Sequence, residues 1–340
     1  MAAVLRVEAL GMPMSTASPF LFSVHHKDNF PAGNEQMGPD ASLLKSRRLG
    51  SDFGHPSGWS MYHGTDVPGF PKHPHRGFET ITIVRRGFVD HTDSLGNSGR
   101  FGDGDVQWMT AGSGISHCEM MPLLDRSNPN PLELFQVWFN LPRASKGAPA
   151  TFKMLWGEDM PALTVDGAVV RVVAGSLPGV VPPPAPPPDS YAFDAEHRVL
   201  IATVELAKGA TWTLPACDVE VERSVYFFDG DTMKIDSREL TNHARVVLDA
   251  TVPCVLTATG SGAGVLVLQG RAIDEPVVSR GPFVGNTQQD IVSAYADYER
   301  TGFGDWPWPG PAVVHKRNAP RFAYFSDGRR EERPRRDTGP

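Results

Sequence analysis

"KHPHRGFETITIV", Lys72 to Val84, opens with two histidines one residue apart and runs on into alternating Thr, Ile and Val. Branched side chains of that kind suit a pleated, half-buried surface, so the stretch reads as a strand. Side chains two apart on a strand share a face. His73 and His75 therefore point the same way, and Glu79 keeps their parity if the strand stays regular. A lone H-x-H is weak evidence for a metal, because sheet histidines are more often simply hydrogen-bonded.

A second pair changes that weight. "SGISHCEMMP" supplies His117 and Glu119, again two apart, with Cys118 between them facing the other way as a small buried hydrophobe. If the two segments lie on adjacent strands, three imidazoles and a carboxylate converge. Three nitrogens and one oxygen suit a divalent first-row metal: iron, manganese, nickel, copper, zinc or cobalt. Four protein ligands on a six-coordinate ion leave two positions for O₂ or a chelating substrate, which argues for catalysis rather than a closed structural site.

Around these pairs the chain has a uniform texture. "GRFGDGDVQWMT" and "LELFQVWFNLP" precede Gly175, and "HRVLIATVELAKGATWTLP", "RSVYFFDGDTMKID" and "HARVVLDATVPCVLTATG" follow it, all short β-rich runs cut by turns. Two halves of like style suggest an all-β chain of two tandem barrels or jelly rolls. Between them "GSLPGVVPPPAPPPDSY" packs six prolines into Pro182–Pro188, a stiff spacer that cannot join a sheet interior. One helix is expected in "NTQQDIVSAYADYERTG", capped by Asn286 or Thr287, ended by Gly302, and packed through Ile291, Ala294, Tyr295 and Tyr298. The expected order is a leader with first strands (1–52), a metal-binding barrel (53–174), the proline linker (175–191), a metal-free barrel with the helix (192–303) and a basic, disordered tail (304–340).

Composition narrows the partners. The formal charge is −7 overall, but His315–Pro340 is net +4 and the rest net −11. An acidic body argues against a dedicated nucleic-acid binder, and the tail reads as solvated, with docking on an acidic partner or nucleic acid as the alternative. Three cysteines cannot make a disulfide framework and suit a reducing compartment. No run approaches a membrane span, and the N-terminal residues lack a signal-peptide core, so a cytoplasmic protein is expected, with the nucleus open for a eukaryotic source. "DSLGNSGRFGDGD" has calcium-loop composition without the closing Glu, and reads as a hairpin turn. "GSGAG" precedes a strand rather than following one, so it is not a dinucleotide turn; no P-loop or G-x-S-x-G elbow is present.

"GFPKHPHRGFETITIV", "GDGDVQWMTAGSGISHCEM", "FQVWFNLP" and "DEPVVSRGPFVGNT" together resemble the pirin family of the cupin superfamily. The resemblance implies two cupin barrels, the first holding one metal ion, usually Fe(II), through His73, His75, His117 and Glu119. It leaves Glu79 outside the ligand set, orienting a histidine or Arg76. It implies either a flavonol (quercetin) 2,3-dioxygenase using O₂, with Glu119 as general base for the phenolic substrate, or a non-enzymatic iron-dependent redox sensor that binds a protein partner such as a transcription factor. The proline linker, the N-terminal leader and the arginine-rich tail depart from the commonest family pattern. The second half has no matching pair: "WTLPACDVEVERSVYFF" offers Cys217, Asp218 and Glu220, and His197 and His243 stand alone. Gln107, Trp108 and Met109 are candidates for a pocket mouth, with core packing as the competing role. His91 is read as a hydrogen-bond partner behind the ligands or a surface-turn residue, and His55 and His63 as loop residues at an entrance.

Overall fold

The computed structural model describes residues 3–160, 162–217 and 221–336. Its regular structure is mostly strand, and it divides the opening stretch in two. Gly69–His75 is one strand and Phe78–Arg86 another, and they lie in different sheets. The break is Gly77, at φ +85°, where a Cβ would sit 2.0 Å from the carbonyl oxygen of Val284. Only glycine fits such a corner. Glu79 therefore loses the parity with His73 and His75 that an unbroken strand would have given it.

The chain forms two compact units, each taking non-contiguous segments. One comprises Met1–Val24, Val137–Pro142 and Leu155–Glu275; the other comprises His25–Gln136, Arg143–Met154 and Pro276–Pro340. This differs from the sequential boundaries the linker suggested. The first strand, Val4–Ala9, pairs with Ala244–Asp249, and the Gln288–Thr301 helix and the C-terminal strands belong with the unit that carries His73. An edge strand takes whatever partner satisfies its backbone, and sequence order does not constrain that choice.

The unit containing Leu155–Glu275 has a seven-stranded antiparallel sheet and a four-stranded sheet of Thr211–Leu214, Cys254–Ala258, Met233–Ile235 and Arg238–Leu240. Its core is aliphatic, with Val204, Val225, Phe227, Val246, Leu256 and Val267 among its fully buried residues. The other unit carries a six-stranded sheet ordered Arg330–Arg333, Arg321–Tyr324, Ser98–Gly102, Phe88–Asp93, Ile115–Met120 and Gly69–His75. Phe78–Arg86, Val106–Thr110, Asn130–Asn140, Phe20–Phe30 and Thr151–Leu155 make a five-stranded sheet. The expected hairpin is present, with Asp93 Oδ1 accepting from the backbone of Leu95 and Asn97.

The helix has the expected ends: Thr287 and Asp290 form a reciprocal capping box, and Gly302 closes it at φ +61°. Ile291, Ala294, Tyr295 and Tyr298 pack on Phe283 and Phe303. No helix among the described residues is long and apolar enough to cross a membrane.

The tail corrects the charge-based reading. Arg100, fully buried, forms a two-bond pair with Asp90 (2.6 and 2.7 Å) and donates to the carbonyls of His315, Lys316 and Arg317. Arg321, also fully buried, pairs with Asp105 at 2.6 Å and donates to the Pro334 carbonyl. Arg100 from the body and Arg321 from the tail thus act as donors that tie the tail to the strands before it, which a net-charge count does not reveal.

Candidate metal centre

His73 and His117 lie directly opposite each other on paired antiparallel strands, and a bulge between Phe70 and His73 sets that register. The imidazole centroids of His73, His75 and His117 are 4.3 to 4.9 Å apart, and one nitrogen from each falls within 4.8 Å of the others. His73 Nδ1 donates to the Pro71 carbonyl at 2.8 Å, which leaves its Nε2 as a lone pair. The ring of His75 hydrogen-bonds to the backbone of Pro282.

Burial is the main force on all three. It pushes the His73 pKa down, against a smaller upward pull from Glu119, and holds His75 and His117 well below the usual imidazole value, with neighbouring histidines adding to the depression. Three neutral imidazoles therefore offer lone pairs to one point. Both ring nitrogens of the fully buried His117 lack a hydrogen-bond partner. Each such orphan costs roughly 1–3 kcal/mol. A divalent ion accepting these lone pairs would remove that cost, so the donor set fits a metal.

Glu119 stands 3.8 Å from His117 Nε2, through its Oε2. Gln136 Nε2 donates to that oxygen at 2.8 Å, and Thr82 Oγ1 donates to Oε1 at 3.2 Å. Each carboxylate oxygen keeps a further lone pair. Cys118 faces away, as its parity predicts, among Val67, Met120, Trp306 and Val314, and burial raises its pKa to about 12. Glu79 is buried on the other sheet and accepts from Thr110 Oγ1 at 2.6 Å, while Arg76 pairs with Asp297 at 2.7 Å.

His91 sits on the strand next to His117, opposite Glu119, with its ring 5.5 Å from that of His117. Its Nε2 donates to Asp93 Oδ2 at 3.2 Å, and its buried Nδ1 has no partner. Gln107 is directly opposite Thr82, and neither end of its buried amide is satisfied; Trp108 and Met109 are fully buried. His55 is tied to Ser57, and His63 to the Gly50 carbonyl. In the other unit His197 stacks on Tyr191 and His243 contacts the Gly230 carbonyl, while Asp218 and Glu220 lie outside the described residues.

A pirin sequence model matches residues 12–139, and one for the pirin C-terminal cupin domain matches residues 201–304. A Pseudomonas aeruginosa protein, provisionally named a quercetin 2,3-dioxygenase, is 36% identical over 243 residues, covering 69% of this chain and 79% of that protein. The chain belongs to the pirin family. Pirin-1 of Arabidopsis thaliana is 33% identical over 69% of this chain and 78% of its own length. Mouse pirin is 30% identical over 72% and 80%. The crystal structure of a quercetin 2,3-dioxygenase from Acinetobacter baumannii superposes with a TM-score of 0.70 at 26% identity, covering 90% of this chain and 99% of that one. The pirin fold, all-β with two cupin-type domains and one helix near the C-terminus, is thus the fold of this chain.

Sequence reasoning missed part of the surroundings of Glu119. A small cavity beside Glu119 is lined by His26, Phe70, Thr82, Met121, Leu134 and Gln136, with a free volume of about 10 Å³, the room of one water. His26 is buried, and its Nδ1 has no partner. The signal was available: in "FLFSVHHKDNF" the buried positions from Val24 onward are the even ones, which puts His26 and Asp28 in line with Val24 and Phe30. Likewise Gln136 shares the parity of Leu132 and Leu134 in "LELFQVWF". A polar residue at inward parity marks a site or a structural tie. Asp28 is the structural case, accepting from Tyr62 Oη at 2.5 Å and from the Ser60 backbone at 2.8 Å.

Proposed function

We propose that this chain is a metal-dependent dioxygenase that opens a flavonol such as quercetin with O₂. His73, His75, His117 and Glu119 are the proposed ligands, and Fe(II) is the proposed ion. The observation that carries the reading is the convergence of three neutral imidazoles, two buried and one half-buried, one with both nitrogens unpartnered, beside a carboxylate. A divalent ion held there would supply Lewis acidity toward a hydroxyl–carbonyl pair and a site for O₂.

The chain's own groups account for the rest. Glu119 accepts the proton of the flavonol hydroxyl on a carboxylate oxygen, and the hydrogen bonds from Gln136 and Thr82 hold that carboxylate in place while it does so. The apolar rim of Phe70, Met121 and Leu134 excludes water. The adjoining cavity has the room of one water, so a flavonol enters only as these side chains swing aside. Iron-loaded protein incubated with quercetin under air tests the reading. Quercetin is expected to disappear with O₂ uptake; unchanged quercetin over metal-replete protein would sink it for this substrate.

One observation favours a second reading. A centre this enclosed also suits a non-enzymatic redox sensor, in which a change in metal oxidation state alters affinity for a protein partner. Oxidation-dependent capture of a partner, lost in His73→Ala and unaccompanied by quercetin turnover, is its expected signature.

A further inference from the structure

Among the described residues, the apolar barrel of the unit containing Leu155–Glu275 carries one buried charged group in line with its core positions, Arg223. Along Glu222–Asp229, residues 223, 225 and 227 share a face, and Val225 and Phe227 of that set lie in the core. Arg223 shares their face and is only 2% exposed. Its cross-strand partner is Gln269, which has the inward parity of Val265 and Val267.

The guanidinium is held but not neutralised. Nε donates to Gln269 Oε1 at 2.7 Å and Nη1 to the Pro215 carbonyl at 3.0 Å. Gln269 is oriented in turn by its amide, which donates to the Arg198 carbonyl at 2.9 Å. Both partners of Arg223 are neutral. The contrast within the molecule is direct, because four arginines are buried: Arg100, Arg223, Arg245 and Arg321. Arg100 pairs with Asp90, Arg321 with Asp105 and Arg245 with Glu8. Arg223 alone among them has no carboxylate within ion-pair distance among the described residues. Asp249 acts on it only from farther off, and the Asp249 carboxylate is taken up by Thr251. A buried guanidinium cannot shed its proton, so it calls for an anion.

There is room for one. Arg223, Gln269 and Cys217 line a pocket of about 530 Å³, within the range of small-molecule sites. The proline-rich segment supplies one wall through Pro183, Pro184 and Pro186, joined by Leu177 and Phe193. Prolines offer no N–H to leave unsatisfied and are already stiff, so an apolar ligand body orders little on binding. Asp194 is the acid on the rim, and its Oδ1 is occupied by the backbone N–H of Glu196.

We propose that this pocket is a second binding site, for a small organic acid whose carboxylate sits on Arg223 and whose apolar body lies against the proline wall. The site is independent of the histidine centre and of the dioxygenase reading. It also gives the proline segment a function beyond spacing.

Titration calorimetry of the full-length, metal-loaded chain tests it with three probes: benzoate, its neutral isostere benzamide, and inorganic phosphate. Benzoate is expected to saturate one site, with benzamide at least tenfold weaker for want of charge. Phosphate, a charge without an apolar body, is also expected to bind more weakly than benzoate. Arg223→Met should reduce benzoate affinity at least tenfold at unchanged metal content. Should that variant fail to fold, Pro184→Glu keeps the guanidinium and sets a carboxylate on the wall, and the same tenfold loss is expected. Equal binding of benzoate and benzamide, or parent-like binding by both variants, overturns the proposal. Phosphate binding tighter than benzoate overturns the carboxylate assignment in favour of a phosphate ligand. A tenfold gain in benzoate affinity in Asp218→Asn/Glu220→Gln also overturns it, since the chain's own acids would then be the counter-ion.

Discussion

The two units use like β-frameworks and opposite electrostatics. In the unit bearing His73, inward positions near the ends of paired strands carry imidazoles that burial keeps neutral, and the unmet demand is for a cation. In the other, the corresponding kind of position carries Arg223, bound only by neutral groups, and the unmet demand is for an anion. Strand parity places a residue inside in both cases; the residue's charge state when dry decides what it recruits. A polar group at inward parity without a partner is therefore the feature to test in each.

The largest effect is expected where the cation demand is removed. His117→Ala should abolish stoichiometric metal, read by elemental analysis of the purified protein, since His117 is the ring with both nitrogens unpartnered. Retained metal at parent stoichiometry would break the comparison at its first term. Next, Glu119→Ala should lower metal affinity about 100-fold or more, whereas Glu79→Ala, on the other sheet and tied to Thr110, should cost about tenfold. Equal losses would return Glu79 to the ligand set.

A third effect concerns stability rather than binding. Arg100→Met leaves Asp90 buried without its guanidinium and should destabilise the fold by about 3–5 kcal/mol in urea unfolding. Arg223→Met strands no described carboxylate and should cost far less. Similar losses at the two positions would mean that Arg223 also has an internal counter-ion.

How far the sequence disclosed this depends on whether the deciding fact was local. The shared face of His73 and His75 was legible because strand alternation is a two-residue rule, and the pairing of His73 with His117 brings the three imidazoles together. The helix was legible because Thr287, Asp290 and Gly302 are local end signals. The parity of Glu79 with His73 and His75 held only for an unbroken strand, and the corner at Gly77 that breaks it is set by Val284, more than two hundred residues away in the chain. The tail was misread because arginine counts as a solvated charge until its acceptors are known, and Asp105 with the Pro334 carbonyl takes up Arg321 while the Leu123 and Leu124 carbonyls take up Arg317. His26 and Arg223 were passed over for a simpler reason: each lies at a buried parity in plain view, but a single polar residue in an apolar strand was not treated as a signal.

His26 offers the smallest and most specific test of that signal. Burial, assisted by His25, lowers its pKa from 6.5 to about 4. Above pH 6.5 the ring is neutral in both folded and unfolded chains, and its contribution to stability is fully present. As pH falls from 6.5 toward 4, the unfolded chain takes up a proton that the folded chain refuses, so stability is lost at up to about 1.4 kcal/mol per pH unit. His26→Gln removes the titration while keeping a polar side chain. The drop in unfolding free energy between pH 7 and pH 5 should therefore be smaller in the variant by about 2 kcal/mol, measured by urea unfolding of metal-loaded protein at both values. An identical drop would mean that His26 takes up its proton while folded, and the interior of this unit would then accept positive charge without a metal. That outcome would blur the contrast with Arg223, because both units would then hold a buried cation without a carboxylate at ion-pair distance among the described residues.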